Sequence, residues 1–172
     1  MEAAHREGAS GWIEVTLDGL AIHLGATKTD QTGEGEILGI PRGANAETCP
    51  VRAYTVWLTA SGIITGPAFR AIDRHGHLAT DAISDKTVAT IVKRTVVAGE
   101  LIGGATPAQA QMTARRFAGH SLRAGLATSA AANDAPGHAI QRQLRHKRFD
   151  TTQGYIRSGE LFKKNAAGMA GL

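Results

Sequence analysis

Trp12-Ile13-Glu14-Val15-Thr16-Leu17-Asp18-Gly19-Leu20-Ala21-Ile22-His23-Leu24 reads as two short strands folded back on each other. Leu20, Ile22 and Leu24 alternate with smaller or polar residues, the period of a half-buried strand. Asp18-Gly19 lies between the two runs and suits the positive φ values of a two-residue hairpin turn. A polar, glycine-containing stretch from Thr27 to Gly35 then leads into Glu36-Ile37-Leu38-Gly39-Ile40. Residues 12–40 are therefore expected to form a three-stranded antiparallel meander.

Helical signals dominate the chain beyond these strands. Pro50 to about Ala60 places Val51, Tyr54, Trp57 and Leu58 on one face, with Gly62 as the stop. Gly66-Pro67-Ala68-Phe69-Arg70-Ala71-Ile72 reads as a turn and a short extended piece. Ser84 can cap a helix whose Val88, Ile91, Val92, Thr95 and Val96 keep helical spacing up to Gly99. Thr106-Pro107-Ala108-Gln109 carries a capping threonine, a proline at the first helical position and a glutamine that reaches back. Residues 121–132 are rich in Ala, Gly and Ser, so that helix can approach its neighbours closely. Pro136 and Asp150 are expected to open two more helices, Asp150-x-x-Gln153 resembling a capping box. The fold class expected is α+β, a small antiparallel sheet packed against a mainly helical domain.

A chain of 172 residues is long enough for one domain with a core. Its hydrophobic content of 42% is that of a globular protein rather than a disordered one. No apolar run approaches the ~20 residues of a membrane-spanning helix. Met1-Glu2-Ala3-Ala4-His5-Arg6-Glu7 lacks the basic-then-apolar layout of a secretory signal. The single cysteine, Cys49, cannot form an internal disulfide, which suits a reducing cytoplasm. Charge is divided unevenly. Residues 112–172 carry ten Lys and Arg against three Asp and Glu, whereas residues 1–111 carry nine against twelve. A polyanion such as double-stranded DNA is the partner that such a basic segment suits.

That basic segment also holds the residues able to do chemistry. His120 and Arg123 lie three apart at the start of a helix, so both can face one side, where helix N–H groups favour an anion. An arginine fork holds two phosphate oxygens and stays charged at any working pH. Tyr155 has no apolar ladder around it to claim it for the core, unlike Tyr54. Its phenol has a pKa near ~10, so attack at neutral pH requires nearby cations or a base. His120, Arg123 and His146 are the candidates. Lys28, at the expected tip of the second hairpin, has the reach of a proton donor. The other five histidines (His5, His23, His75, His77 and His138) read as surface or packing residues. No HExxH or CxxC spacing is present, so neither a metal nor another cofactor is expected.

As an ordered set these residues resemble the catalytic domain of the tyrosine recombinase (phage integrase) family. The resemblance runs through Thr27-Lys28-Thr29-Asp30-Gln31, Cys49-Pro50-Val51-Arg52-Ala53 and Gly119-His120-Ser121-Leu122-Arg123-Ala124-Gly125. It continues through Leu144-Arg145-His146, Thr151-Thr152 and Tyr155-Ile156-Arg157, with nine residues from His146 to Tyr155. It implies a DNA-breaking and rejoining enzyme in which Tyr155 attacks the scissile phosphate. Arg123, His120 and His146 would stabilise the transition state, and Lys28 would protonate the leaving oxygen. The family's further arginine, in a Gly-x-Arg-x-x-Glu-like helix ahead of the strands, has no counterpart. Arg6-Glu7-Gly8-Ala9 lacks the glutamate. Residues 1–172 are thus expected to be a single catalytic domain without the DNA-clamping domain, from a longer recombinase. The competing expectation is a truncated remnant that binds DNA or a partner recombinase. Residues 160–169 should form a short amphipathic helix through Leu161, Phe162, Ala166 and Met169, which the resemblance links to self-association on DNA.

Overall fold

The computed structural model describes residues 2–3, 11–25, 35–159, 167 and 170. Lys28 and the segment from residue 160 to 166 lie outside them. The fold is α+β, with a three-stranded antiparallel sheet and six helices among the described residues. The chain divides into two compact units, Met1–Ile83 and Ser84–Leu172. No helix of the described residues is long and apolar enough to cross a membrane.

In the first unit, β1 (Gly11–Val15), β2 (Gly19–Leu24) and β3 (Glu36–Pro41) pair in that order. The register Val15↔Leu20 and Leu20↔Ile40 sends Ile13, Leu20 and Ile22 to one face. There they meet α1 (Pro50–Ser61) through Val51 and Tyr54, 1% and 5% exposed, in a core completed by Cys49, Ile63 and Ala68. Burying a side chain such as Val51 stabilises by about 1.5–3 kcal/mol. Burial also pushes the Tyr54 phenol up. Gly62 ends α1 in the left-handed region at φ 65°, its N–H donating to the Leu58 carbonyl at 2.9 Å, as its sequence position anticipates.

One sequence expectation changes here, and another is extended. The tip of the first hairpin is Leu17-Asp18 rather than Asp18-Gly19, because Thr16 and Gly19 close the turn. The Thr16 N–H donates to the Gly19 carbonyl at 2.8 Å, and the Gly19 N–H donates to Thr16 Oγ1 at 3.1 Å. Gly19 does not take a positive φ. It is required because a Cβ would stand 2.1 Å from the Ile40 carbonyl oxygen on the adjacent strand. The short extended piece near Ile72 is a strand, β4 (Arg70–Ile72), which pairs antiparallel with β5 (Leu78–Ala82) as a second sheet. Asp73 shapes its turn by accepting from the His77 N–H (2.9 Å), meeting the His77 ring at 3.0 Å and accepting from the His75 N–H (2.7 Å), which together hold its carboxyl below the usual range.

The second unit is helical: α2 (Asp85–Ile102), α3 (Pro107–Arg115), α4 (Gly119–Ala132), α5 (Gly137–Leu144) and α6 (Phe149–Gly159). Ser84 caps α2 by accepting from the Thr87 N–H. Thr106 and Gln109 form the reciprocal capping box of α3. Unlike the expected stop, α2 runs through Gly99. A glycine inside a helix costs only about 0.5–1 kcal/mol, and the reversal falls to Gly104 at φ 88°. Nor does Asp150 cap α6, which begins one residue earlier. Its carboxylate accepts from Arg148 Nη2 at 2.7 Å instead.

The small residues of α4 let α6 lie close against it. Ala127 and Ala131 are 0% and 1% exposed and form a core with Ile140 and Leu144. At Gly159, a Cβ would stand 2.6 Å from the Thr128 carbonyl oxygen and 3.0 Å from the Ala131 Cβ. Gly137 makes the corresponding allowance at the start of α5, where a Cβ would meet Ile156 and Phe149 at 3.0 Å. These contacts fix where α6 presents Tyr155.

Candidate active site

Arg123 opens the second turn of α4, and His120 lies in the first. That turn is set by Ser121, whose Oγ accepts from the Ala118 N–H at 3.0 Å. Arg123 is half-buried and donates from Nη2 to the Leu144 carbonyl, one of the carbonyls that the end of α5 leaves unpaired. Its guanidinium is thereby anchored at one corner. The remaining donors of the fork carry no hydrogen bond to the described residues.

His146 stands just beyond α5, after Arg145 turns the chain through the left-handed region at φ 54°. Gln141 holds it at both ends. The His146 N–H donates to the Gln141 carbonyl at 3.1 Å, and Gln141 Nε2 donates to the His146 carbonyl at 3.0 Å. The imidazole stacks on the Tyr155 ring, with centroids 5.8 Å apart and planes inclined by 17°. Its Nδ1 lies 2.9 Å from the hydroxyl oxygen of Thr152. Burial, and then the positive charge of Arg123, hold the His146 pKa below the ordinary value. The ring is therefore neutral at pH 7.

Tyr155 leans on the α4–α5 core with Ile156, while its hydroxyl lies 3.3 Å from His120 Nε2. A phenol, a histidine nitrogen within reach of its proton, an anchored guanidinium and a neutral imidazole thus share one unit, drawn from three stretches of sequence. Arg142, Lys147, Arg148 and Arg157 are exposed on the same elements. Such an arrangement can hold an anion and move a proton from a nucleophile.

Four of the five residues singled out from sequence, His120, Arg123, His146 and Tyr155, stand together. Lys28 lies outside the described residues. Sequence reasoning gives no individual role to Ser121, Gln141 or Thr152. A signal exists for Thr152, three residues before Tyr155 and hence on the same helical face.

No family model matches the chain. Over 154 residues, 90% of its length, it is 42% identical to an integrase/recombinase XerD homolog from Selenomonas ruminantium. It spans 42% of that relative's length. By this likeness the chain belongs to the tyrosine recombinase (phage integrase) family.

Proposed function

We propose that this chain carries the strand-breaking and rejoining chemistry of a site-specific DNA recombinase. The observation that carries the reading is the meeting of His120 Nε2 and the Tyr155 hydroxyl at 3.3 Å beside the anchored guanidinium of Arg123. Tyr155 gives up its phenolic proton to His120 and attacks the scissile phosphate. A bond forms from the phenolic oxygen to phosphorus as the bond from phosphorus to the 5′ oxygen breaks. The products are a 3′-phosphotyrosine and a 5′-hydroxyl, whose proton comes from Lys28. Arg123 and His146 hold the non-bridging oxygens, on which negative charge builds in the transition state. Phosphodiester energy is kept in the tyrosyl ester, so the reverse attack by another 5′-hydroxyl rejoins DNA without a cofactor.

The partner is double-stranded DNA, gripped through phosphates by the basic residues of the second unit, so binding weakens steeply with salt. Residues 160–169 are proposed to mediate self-association on DNA. The test is a nicked DNA substrate that loses the attacking 5′-hydroxyl after cleavage. One of the two arginines of the family pattern has no match in this sequence, so the chain is assayed joined to the N-terminal part of the Selenomonas ruminantium relative. A covalent adduct is expected at Tyr155, absent in Tyr155→Phe and unchanged by a chelator, while Tyr155→Phe keeps DNA binding. An adduct at Tyr54, or one that needs a divalent metal, overturns the mechanism.

A further inference from the structure

Thr152 is the only fully buried polar side chain among the described residues, 0% exposed. A buried hydroxyl is costly unless its hydrogen-bonding capacity is met. Four other helical threonines meet it within their own helix: Thr55, Thr90, Thr95 and Thr128 each donate to the carbonyl four residues back. Thr152 does not. Its one hydrogen bond among the described residues joins Oγ1 to His146 Nδ1 at 2.9 Å.

Only one assignment of protons satisfies both partners. If Nδ1–H donated, the threonine proton would be left buried without an acceptor. If the hydroxyl donates, Nδ1 is the acceptor and the ring proton sits on Nε2. We propose that Thr152 is a positioning residue that donates to His146 Nδ1 and so fixes the neutral tautomer with Nε2–H free for an anionic oxygen. The surroundings of the imidazole agree with this, since burial and the Arg123 guanidinium of α4 disfavour a second proton, and its neighbours in sequence, Arg145 and Lys147, are cations rather than acids. Tyr155 of α6 covers one ring face. With a proton on Nε2, His146 can only donate there, whatever the pH above its titration. That the oxygen belongs to a scissile phosphate rests on the recombinase reading; the tautomer itself does not.

The test is nitrogen-15 NMR of the imidazoles in the 172-residue chain, with His146 assigned by loss of its signals in His146→Gln. Two-bond proton–nitrogen correlations at pH 7 are expected to show Nε2 protonated and Nδ1 bare. Thr152→Ser keeps that pattern. Thr152→Val removes the donor that stabilises the neutral ring, so the His146 protonation constant rises about twofold to tenfold, the factor carried by one hydrogen bond. A wild-type ring protonated on Nδ1 overturns the proposal, and so does a protonation constant that stays unchanged or falls in Thr152→Val. Should the valine variant fail to fold, the wild-type spectrum decides alone. In the phosphotyrosine assay, adduct formation slows by a similar factor in Thr152→Val and recovers in Thr152→Ser. A wild-type chain that has the expected tautomer but forms no adduct supports the assignment and counts against the recombinase reading.

Discussion

Two glycines of α6 should respond to the same substitution with opposite signs. Gly154 sits mid-helix, exposed, and a Cβ there would meet nothing within 4 Å. Gly154→Ala therefore adds a methyl without a clash and removes unfolded-state freedom, for a gain of about 0.5–1 kcal/mol. Gly159 is the last residue of the same helix, and its Cβ would press on backbone, 2.6 Å from the Thr128 carbonyl oxygen and 3.3 Å from the Ala132 nitrogen. Backbone on α4 cannot swing aside as a flexible side chain would. Gly159→Ala must lift α6 off α4, an overpacking cost of about 1–3 kcal/mol that outweighs the modest helix-propensity gain at a terminus. Equilibrium denaturation followed by far-ultraviolet circular dichroism, which reports mainly the helices, measures both. For a chain of this size 1 kcal/mol corresponds to roughly 2–4 °C in Tm. The displaced helix also carries Tyr155 away from His120, so Gly159→Ala should lower adduct formation. Equal gains from both variants would refute the claim that α4 and α6 are held at backbone contact by Gly159.

Single groups set two further outcomes. His146 binds its proton less readily in the folded chain, so its contribution to stability is complete above the ordinary value of 6.5 and is lost as pH falls through the lowered folded value. His146→Gln should flatten the stability profile over that acidic window, and an unchanged slope would show that other groups govern it. In the first unit, Trp57 Nε1–H donates to the carbonyl of fully buried Ala68 at 2.7 Å. Trp57→Phe leaves that carbonyl unpaired, and urea denaturation followed by circular dichroism should register a loss of about 1–3 kcal/mol.

The elements that can be read from sequence are those whose determinants are local. Ser84, Thr106 with Gln109, and Gly62 each satisfy a helix end through residues within four positions, and each does so in the structure. The strands β1 and β2 announce themselves because one face is buried, which forces alternation. The hairpin of β4 and β5 does not, because Ala71, Ile72 and residues 79–82 are exposed and no buried face imposes a pattern. Gly19 shows the same limit at one residue. Its turn-like neighbourhood suggests a positive φ, whereas its actual constraint is the carbonyl of Ile40, twenty-one residues away.

The site obeys the same division. His120 and Arg123 can be paired from sequence because three residues on a helix bring side chains together. Nothing local brings Tyr155 to His120 across thirty-five residues. That distance is set by Ala127, Ala131 and Gly159, small residues whose contribution is the absence of bulk. Absence of bulk has no chemical signature in a sequence, which is why the ordered resemblance points to these residues where no physical argument from sequence can assemble them. Thr152 is the complementary case. Its neighbours Asp150 and Gln153 suggest a helix cap, but the cap does not form, and the hydroxyl is left inside the helix with an imidazole as its only partner among the described residues. A polar group buried beside a reactive one, with no structural bond of its own to make, is where the fold serves the chemistry rather than itself.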